Sequence, residues 1–207
     1  MKKALLSLVF LMLAAFGLPV LAQAPLTGFY AGLGGGLTDA RSICNTVWLP
    51  AGTTLGGCDK KDVGWKIYGG YQFTPHWGAE LGYLDFGKQR WGVAIGGVTP
   101  ATAEAEAKVW QLAATATLPL VPGSSLYSPG FGVFGKLGLH RSDIDVSAGG
   151  ISANGSSTDW MWGLGARWDF TRNVSMRIEW ERFNNAGSNS IGTTDLEMLS
   201  ISAMFRF

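Results

Sequence analysis

Apolar and polar residues alternate with a period of two along most of this chain. Side chains two apart on a strand share a face, so the period predicts strands rather than helices. Eight segments follow it. Residues 29–37 place Phe29, Ala31, Leu33 and Leu37 on one face. Residues 63–73 set Val63, Trp65, Ile67, Tyr71 and Phe73 against Gly64, Lys66, Tyr68, Gly70 and Gln72. Residues 77–86 set Trp77, Ala79, Leu81 and Tyr83 against Gly78, Glu80 and Gly82. Residues 108–118 set Trp110, Leu112, Ala114, Ala116 and Leu118 against Gln111, Thr115 and Thr117. Residues 131–140 set Phe131, Val133, Leu137 and Leu139 against Phe134, Lys136 and Gly138. Residues 160–170 set Trp160, Trp162, Leu164, Ala166, Trp168 and Phe170 against Gly163, Gly165 and Arg167. Residues 174–183 set Val174, Met176, Ile178 and Trp180 against Ser175, Arg177, Glu179 and Glu181. The final segment sets Leu199, Ile201, Ala203, Phe205 and Phe207 against Met198, Ser200, Ser202, Met204 and Arg206.

Each segment has about the 9–11 residues that a tilted strand needs to cross a bilayer. The connections alternate in length. Long loops are expected over 38–62, 87–107, 141–159 and 184–197, and short turns at 74–76, 119–129 and 171–173. A soluble sandwich would also alternate, but three features favour a closed tube. The polar faces carry many glycines, among them Gly32, Gly64, Gly70, Gly82, Gly138, Gly163 and Gly165. Glycine weakens a strand facing water, yet it makes room inside a narrow lumen. Charged residues make up only 15% of the chain, against about 25% in soluble proteins. Aromatics gather at segment ends, at Trp77, Trp110, Trp160, Trp168, Phe170, Trp180, Phe205 and Phe207, where an interfacial girdle belongs. The expected fold is all-β: an eight-stranded antiparallel up-and-down transmembrane β-barrel. Lys66, Glu80, Lys136, Arg167, Arg177 and Glu179 fall on the glycine-rich side and are expected as lumen charges. On the lipid side each would cost about 2–4 kcal/mol at mid-bilayer.

The amino terminus reads as a secretory signal. Lys2 and Lys3 precede an apolar run over 4–16, and Val20-Leu21-Ala22 fits a cleavage site. The run is shorter than the ~20 apolar residues of a spanning helix. Residues 1–22, or alternatively 1–24, are the expected signal, and 23–207 the barrel domain. Cys44 and Cys58 share a polar segment; after export a disulfide is the default. Closing such a loop is worth about 3 kcal/mol in the chain-entropy model. No histidine or further cysteine accompanies the pair, so neither metal nor any other cofactor is expected. The net charge of +1 gives no basic field for nucleic acid.

A weak internal repeat relates Tyr71-Gln72-Phe73-Thr74-Pro75-His76-Trp77 to Trp168-Asp169-Phe170-Thr171-Arg172-Asn173-Val174. Measured from the phenylalanine, Glu80 and Arg177 take equivalent offsets with opposite charge. They are expected to meet across the lumen.

The run Gly69-Gly70-Tyr71-Gln72 through Pro75, Gly78, Glu80, Gly82 and Tyr83 resembles the second hairpin of the OmpA-type transmembrane barrel. Arg177-Ile178-Glu179-Trp180 followed by Asn184-Asn185 is similar to that family's later strand and loop, and 200–207 to its terminal strand. The resemblance covers essentially the whole mature chain. It implies that the terminal aromatics, Phe205 and Phe207, are the signal read by the outer-membrane insertion machinery. It implies residence among outer-membrane lipids; the short turns and long loops, with the chain entering from the periplasm, are expected to leave both termini periplasmic and the long loops extracellular. In the family a lumen Glu–Arg pair blocks the channel, and a Lys competes for the Glu when it opens. Glu80 and Arg177 match the pair, while the competing Lys falls on Thr115 and its Glu partner on Arg167. The cell-wall-binding domain that often follows such barrels is not expected here.

The expected function is that of a non-enzymatic integral outer-membrane protein with a structural or surface role and at most a narrow lumen. A surface adhesin, or a barrel binding an extracellular ligand at its loops, is the alternative. A small pore is a third class. A lipid A deacylase is less favoured: His140 and Ser142 could pair at a strand end, but only Asp143 and Asp145 stand nearby as acids.

Overall fold

A computed structural model describes residues 27–40, 53–59, 61–95, 99–121, 130–148, 151–188 and 192–207. The expected signal segment and Cys44 lie outside these residues, and Cys58 is described for its backbone only, so the structure does not bear on the disulfide. The described strands are β1 (Gly28–Ala40), β2 (Thr53–Asp59), β3 (Lys61–Gln72), β4 (Trp77–Ile95), β5 (Thr99–Val121), β6 (Gly130–Ala148), β7 (Ile151–Asp169), β8 (Val174–Ser188) and β9 (Gly192–Arg206). All pairings are antiparallel. Eight strands, β1 and β3 to β9, pair in succession, and β9 returns to β1 from Tyr30↔Arg206 to Ala40↔Leu196. The ring is therefore closed. The remaining strand, β2, pairs with the far end of β4 (Asp59↔Arg90 to Thr53↔Ile95) and prolongs β3 beyond the ring.

The two tight turns explain the internal repeat. Phe73 and Thr74 donate their backbone N–H groups to Trp77 O, and Phe170 and Thr171 donate theirs to Val174 O. Thr74 Oγ1 accepts from the amides of His76 and Trp77, and Thr171 Oγ1 accepts from those of Asn173 and Val174. A threonine hydroxyl closing its own turn thus recurs at both sites.

Near this tight-turn end the molecule is inverted relative to a soluble protein. Leu33, Ile67, Leu81, Leu112, Leu137, Leu164, Ile178 and Ile201 are exposed, while Lys66, Glu80, Lys136 and Glu179 are buried. The exposed face is bounded by two aromatic belts. One holds Phe29, Tyr71, Phe131 and Trp168, with Phe29 packed edge-on to Tyr71 at 4.7 Å. The other holds Tyr83, Trp110, Trp160, Trp162 and Trp180; Tyr83 and Trp110 lie 4.9 Å apart, Trp162 and Trp180 4.8 Å. Trp160 and Trp168 stand eight residues apart on β7, about 26 Å along a strand and about 20 Å along the axis at a 40° tilt. That height suits an apolar band in a membrane.

Two sequence expectations need correction. Most of 87–107, 141–159 and 184–197 is strand, not loop: β4, β5, β6 and β7 run on as paired hairpins well past the second aromatic belt. Their outer residues are paired one for one, which satisfies the backbone without an apolar stripe. The lumen is also not polar throughout. Past the second belt, Leu84, Phe86, Val109, Ile144, Met161, Phe183, Leu196 and Met198 are buried as one apolar cluster inside the ring.

Candidate functional site

The lumen's polar stretch is built on large-to-small pairs across strands. Tyr68 stands opposite Gly32, Tyr30 opposite Gly70, and Phe134 opposite Gly165. A Cβ on Gly32 would sit 2.3 Å from Tyr68 Cζ, and one on Gly165 would sit 2.5 Å from Phe134 Cζ. The glycines let inward rings lie flat over the neighbouring strand. On that bed lies the Arg177 guanidinium, 4.1 Å from the Phe134 ring centre and 4.8 Å from that of Tyr68, a cation–π arrangement.

All six expected lumen charges are buried inside the ring. Five converge, joined by Glu181. Arg177 Nη1 lies 2.8 Å from Glu80 Oε2, so the two residues meet across the lumen. Arg177 Nη2 lies 3.6 Å from Glu179. Lys136 contacts Glu80 and lies 2.6 Å from Glu179 and 3.1 Å from Glu181. Lys66 lies 2.5 Å from Glu179 and 2.6 Å from Glu181. Tyr30 donates to Glu80 and Gln111 donates to Glu181. Three cations thus face three carboxylates, and the group is neutral. A buried charge without its partner is costly, and here every carboxylate touches at least two cations. Glu181 was legible as a residue of the polar face but carried no motif that singled it out. The sixth charge, Arg167, stands apart from the cluster and pairs with Asp169 at 3.0 Å.

The two departures from the OmpA-type pattern have a structural answer one strand away. Thr115 occupies the place of the expected lysine, and Lys136, directly opposite it on β6, reaches Glu80 instead. Arg167 occupies the place of the expected glutamate, and β8, the strand beside it, supplies Glu179 and Glu181.

At the second belt the lumen changes character. Phe86 and Phe183 meet edge to face at 5.6 Å, and His140 packs edge-on against Phe183 at 5.4 Å. His140 and Ser142 do share the inner face, but they do not pair. His140 Nε2 donates to Asn184 O at 2.9 Å. Ser142 Oγ bonds Ser157 Oγ at 2.9 Å, and Ser157 in turn donates to Asn185 O. Asn185 is the bulge of β8, with φ at +50°, a backbone state that asparagine tolerates. Asn184 and Asn185 donate their amides to Trp160 O and Asp159 Oδ2. The two asparagines of the sequence motif therefore staple β8 to β7. The Asn185 amide and the Trp160 N–H hold the Asp159 carboxyl below the usual range. Among the described residues no group of metal-ligating side chains occurs.

Residues 8–207 match the family described as outer membrane protein beta-barrel domain. Outer membrane protein A of Klebsiella aerogenes is 27% identical over 157 residues, covering 73% of this chain and 41% of that protein. The chain thus spans about two fifths of that relative's length. Among solved structures, Neisserial surface protein A superposes with a TM-score of 0.54 at 16% identity, covering 89% of this chain and all of that one. OprG of Pseudomonas aeruginosa does so at 0.50 and 14%, covering 87% and 98%. Those two share the fold. With the family matched over residues 8–207, the chain belongs to the outer membrane protein beta-barrel domain family and is an integral outer-membrane β-barrel of the OmpA type.

Proposed function

We propose that this protein is a closed, non-enzymatic barrel that holds its place in the outer membrane and presents its long hairpins outside the cell. The observation that carries the reading is the double occlusion of the lumen. The neutral cluster of Lys66, Glu80, Lys136, Arg177, Glu179 and Glu181 fills one level, and the apolar cluster around Phe86, Met161 and Phe183 fills the next. In a small barrel side chains nearly fill the interior, and here they do so with two chemistries in series. In this reading the tight turns and both termini face the periplasm, residues 1–22 are removed on export, and Cys44 and Cys58 are oxidised together. Phe205 and Phe207 serve the insertion machinery. Glu80 and Arg177 bar the lumen, with Lys136 holding the shared carboxylate.

The test joins planar-bilayer conductance to topology. The purified protein should show shifted gel migration without heating, protease cleavage confined to the long hairpins, and no steady conductance. Sustained single-channel steps in the unmodified protein would overturn the closed reading. Charge reversal of Glu80 and Arg177 together should recover part of the stability lost in either single reversal, the rest staying lost because the swap sets like charges beside Lys136 and Glu179.

One observation favours surface binding as the second reading. Beyond the aromatic belt, a concave patch of about 310 Å³ is lined by Lys88, Glu104, Glu106, Asp145 and Asn154. Val146 and Ala153 share its lining, so it is part polar and part apolar, and it lies past the second aromatic belt, where in this reading an extracellular ligand would meet the protein. Unaltered adhesion to host or abiotic surfaces after replacing these hairpins would remove it.

A further inference from the structure

The lumen's charges balance until its tight-turn end. Arg177 is answered by Glu80, and Arg167 by Asp169. Arg206, on the last strand, is 5% exposed and has no carboxylate within ion-pair distance among the described residues. Among the described residues its guanidinium makes one hydrogen bond, from Nη1 to Arg172 O at 3.5 Å. Its Nε is buried without a hydrogen-bond partner. Arginine cannot shed its proton to escape this position, and an uncompensated buried charge is costly.

Beside Arg206 lies a small cavity, also lined by Gln72, Thr115, Thr117, Arg167 and Arg177. Its volume is about 10 Å³, enough for a single small occupant and too little for a carboxylate or phosphate. The unsatisfied atoms around it can donate: Thr115 Oγ1, Arg177 Nε and Arg206 Nε are all buried without partners. Tyr30, also on its wall, has committed its hydroxyl proton to Glu80. Three guanidinium groups line the space. Asp169 pairs with Arg167 at 3.0 Å and also faces Arg206 from beyond ion-pair distance, one carboxylate for two guanidinium groups, and Glu80 belongs to the neutral cluster.

We propose that this cavity is a binding site for a monatomic anion, a halide, held by Arg206, Thr115 and Arg177. A water molecule would satisfy the donors but leave the charge; a halide does both. The ion closes the charge balance of the lumen and ties β9, the strand that closes the ring, to β5 and β8.

Bromide tests this on the purified, folded full-length barrel. Crystals soaked in bromide should show anomalous density in the cavity, in contact with Arg206 and Thr115. The urea midpoint of the barrel in vesicles should be higher in sodium chloride than in sodium gluconate at equal ionic strength, because gluconate cannot enter. Arg206→Gln should abolish both the bromide peak and the salt difference. Arg206 lies in the terminal strand, so Thr115→Val serves as the second variant if the first fails to assemble; it should reduce bromide occupancy while heat-shifted gel migration stays normal. Empty or water-like density, with equal midpoints in the two salts, overturns the proposal. So does a peak that persists unchanged in either variant, which would mark an adventitious ion only.

Discussion

The two ends of this barrel obey opposite rules on the same strands. On β5, Ala105, Ala107, Val109, Gln111, Ala113, Thr115 and Thr117 point inward without interruption. On its outer face Glu104, Glu106 and Lys108 give way to Trp110, Leu112, Ala114, Ala116 and Leu118. No bulge intervenes between Lys108 and Trp110 on β5's pairing with β6; the environment changes, not the geometry. β6 does the same, with Leu137 and Leu139 outside before Arg141, Asp143 and Asp145, and Lys136 inside before Ile144. Near the tight turns, lipid takes the apolar face and polar groups satisfy one another within. Past the Trp110–Trp160 belt, water takes the outside and the interior packs as an ordinary apolar core. The difference teaches that alternation marks a strand, whereas the identity of the outward residue marks its solvent.

The largest effects should come from the interiors, for unlike reasons. Lys136→Met should destabilise the barrel by about 3–5 kcal/mol, because it leaves Glu80, Glu179 and Glu181 short of a cation. Phe183→Ala should cost a similar ~3–5 kcal/mol by opening a cavity in the apolar cluster. Urea unfolding in lipid vesicles measures both. The comparison sharpens when the polarity is swapped: Lys136→Met combined with Glu80→Gln should recover part of the first loss, whereas a polar residue at 183 should recover nothing. A Phe183→Ala midpoint equal to that of the unmodified protein would mean the far end contributes no core.

A smaller effect tests the outer faces. Leu164→Arg, within the belt-to-belt band, should cost about 2–4 kcal/mol. Thr158→Arg, six residues along the same face of β7 and past Trp160, should change stability by less than about 0.5 kcal/mol. Equal losses at the two sites would place both in one solvent and erase the contrast between the ends.

These contrasts also explain what the sequence revealed and what it hid. The lipid-facing half was legible because Leu, Ile and Trp at alternate positions have one reading beside glycine and lysine. The outer half of β5 was not: Ala103 to Ala107 alternates with Glu104 and Glu106, and alanine is too small to announce a core. The outer half of β7 carries Ser152-Ala153-Asn154-Gly155-Ser156-Ser157-Thr158, which has no apolar stripe; it is a strand because β6 pairs with it residue by residue, a case of tertiary pairing overriding propensity. The bulges hid the rest. At Gly87, with φ at +74°, Asp85 and Asp62 accept the amides of Gly87 and Lys88. Inward positions shift there from Leu84 and Phe86 to Gln89. A strict period of two cannot be followed through such a shift. In the lumen, the face of each charge was readable, but which charges touch depends on barrel stagger. Glu181 shares the polar face of its strand with Arg177 and Glu179, but that face alone does not say that it reaches Lys66 and Lys136.

The smallest expected effect asks whether the water-facing end has surface electrostatics of the ordinary kind. Lys88 Nζ lies 2.9 Å from Glu106 Oε1 on the outer face, and Lys108 stands 3.9 Å from the same carboxylate. The hydrogen bond from Lys88 holds the Glu106 carboxyl below its usual range. A carboxylate depressed on folding contributes stability above its unfolded pKa, about 4.3. It loses that contribution as pH falls through the lower folded value. Lys88→Met should therefore cost under about 1 kcal/mol near neutral pH, an exposed pair being weak and screened by salt. The gap between variant and unmodified protein should close as pH is lowered below about 4, and it should shrink in high salt. Lys136→Met should keep most of its deficit in high salt, since its partners are sealed from solvent. A Lys136→Met deficit that salt removes as completely as it removes the Lys88→Met one would show the lumen cluster to be wet, and the two ends would no longer differ in kind.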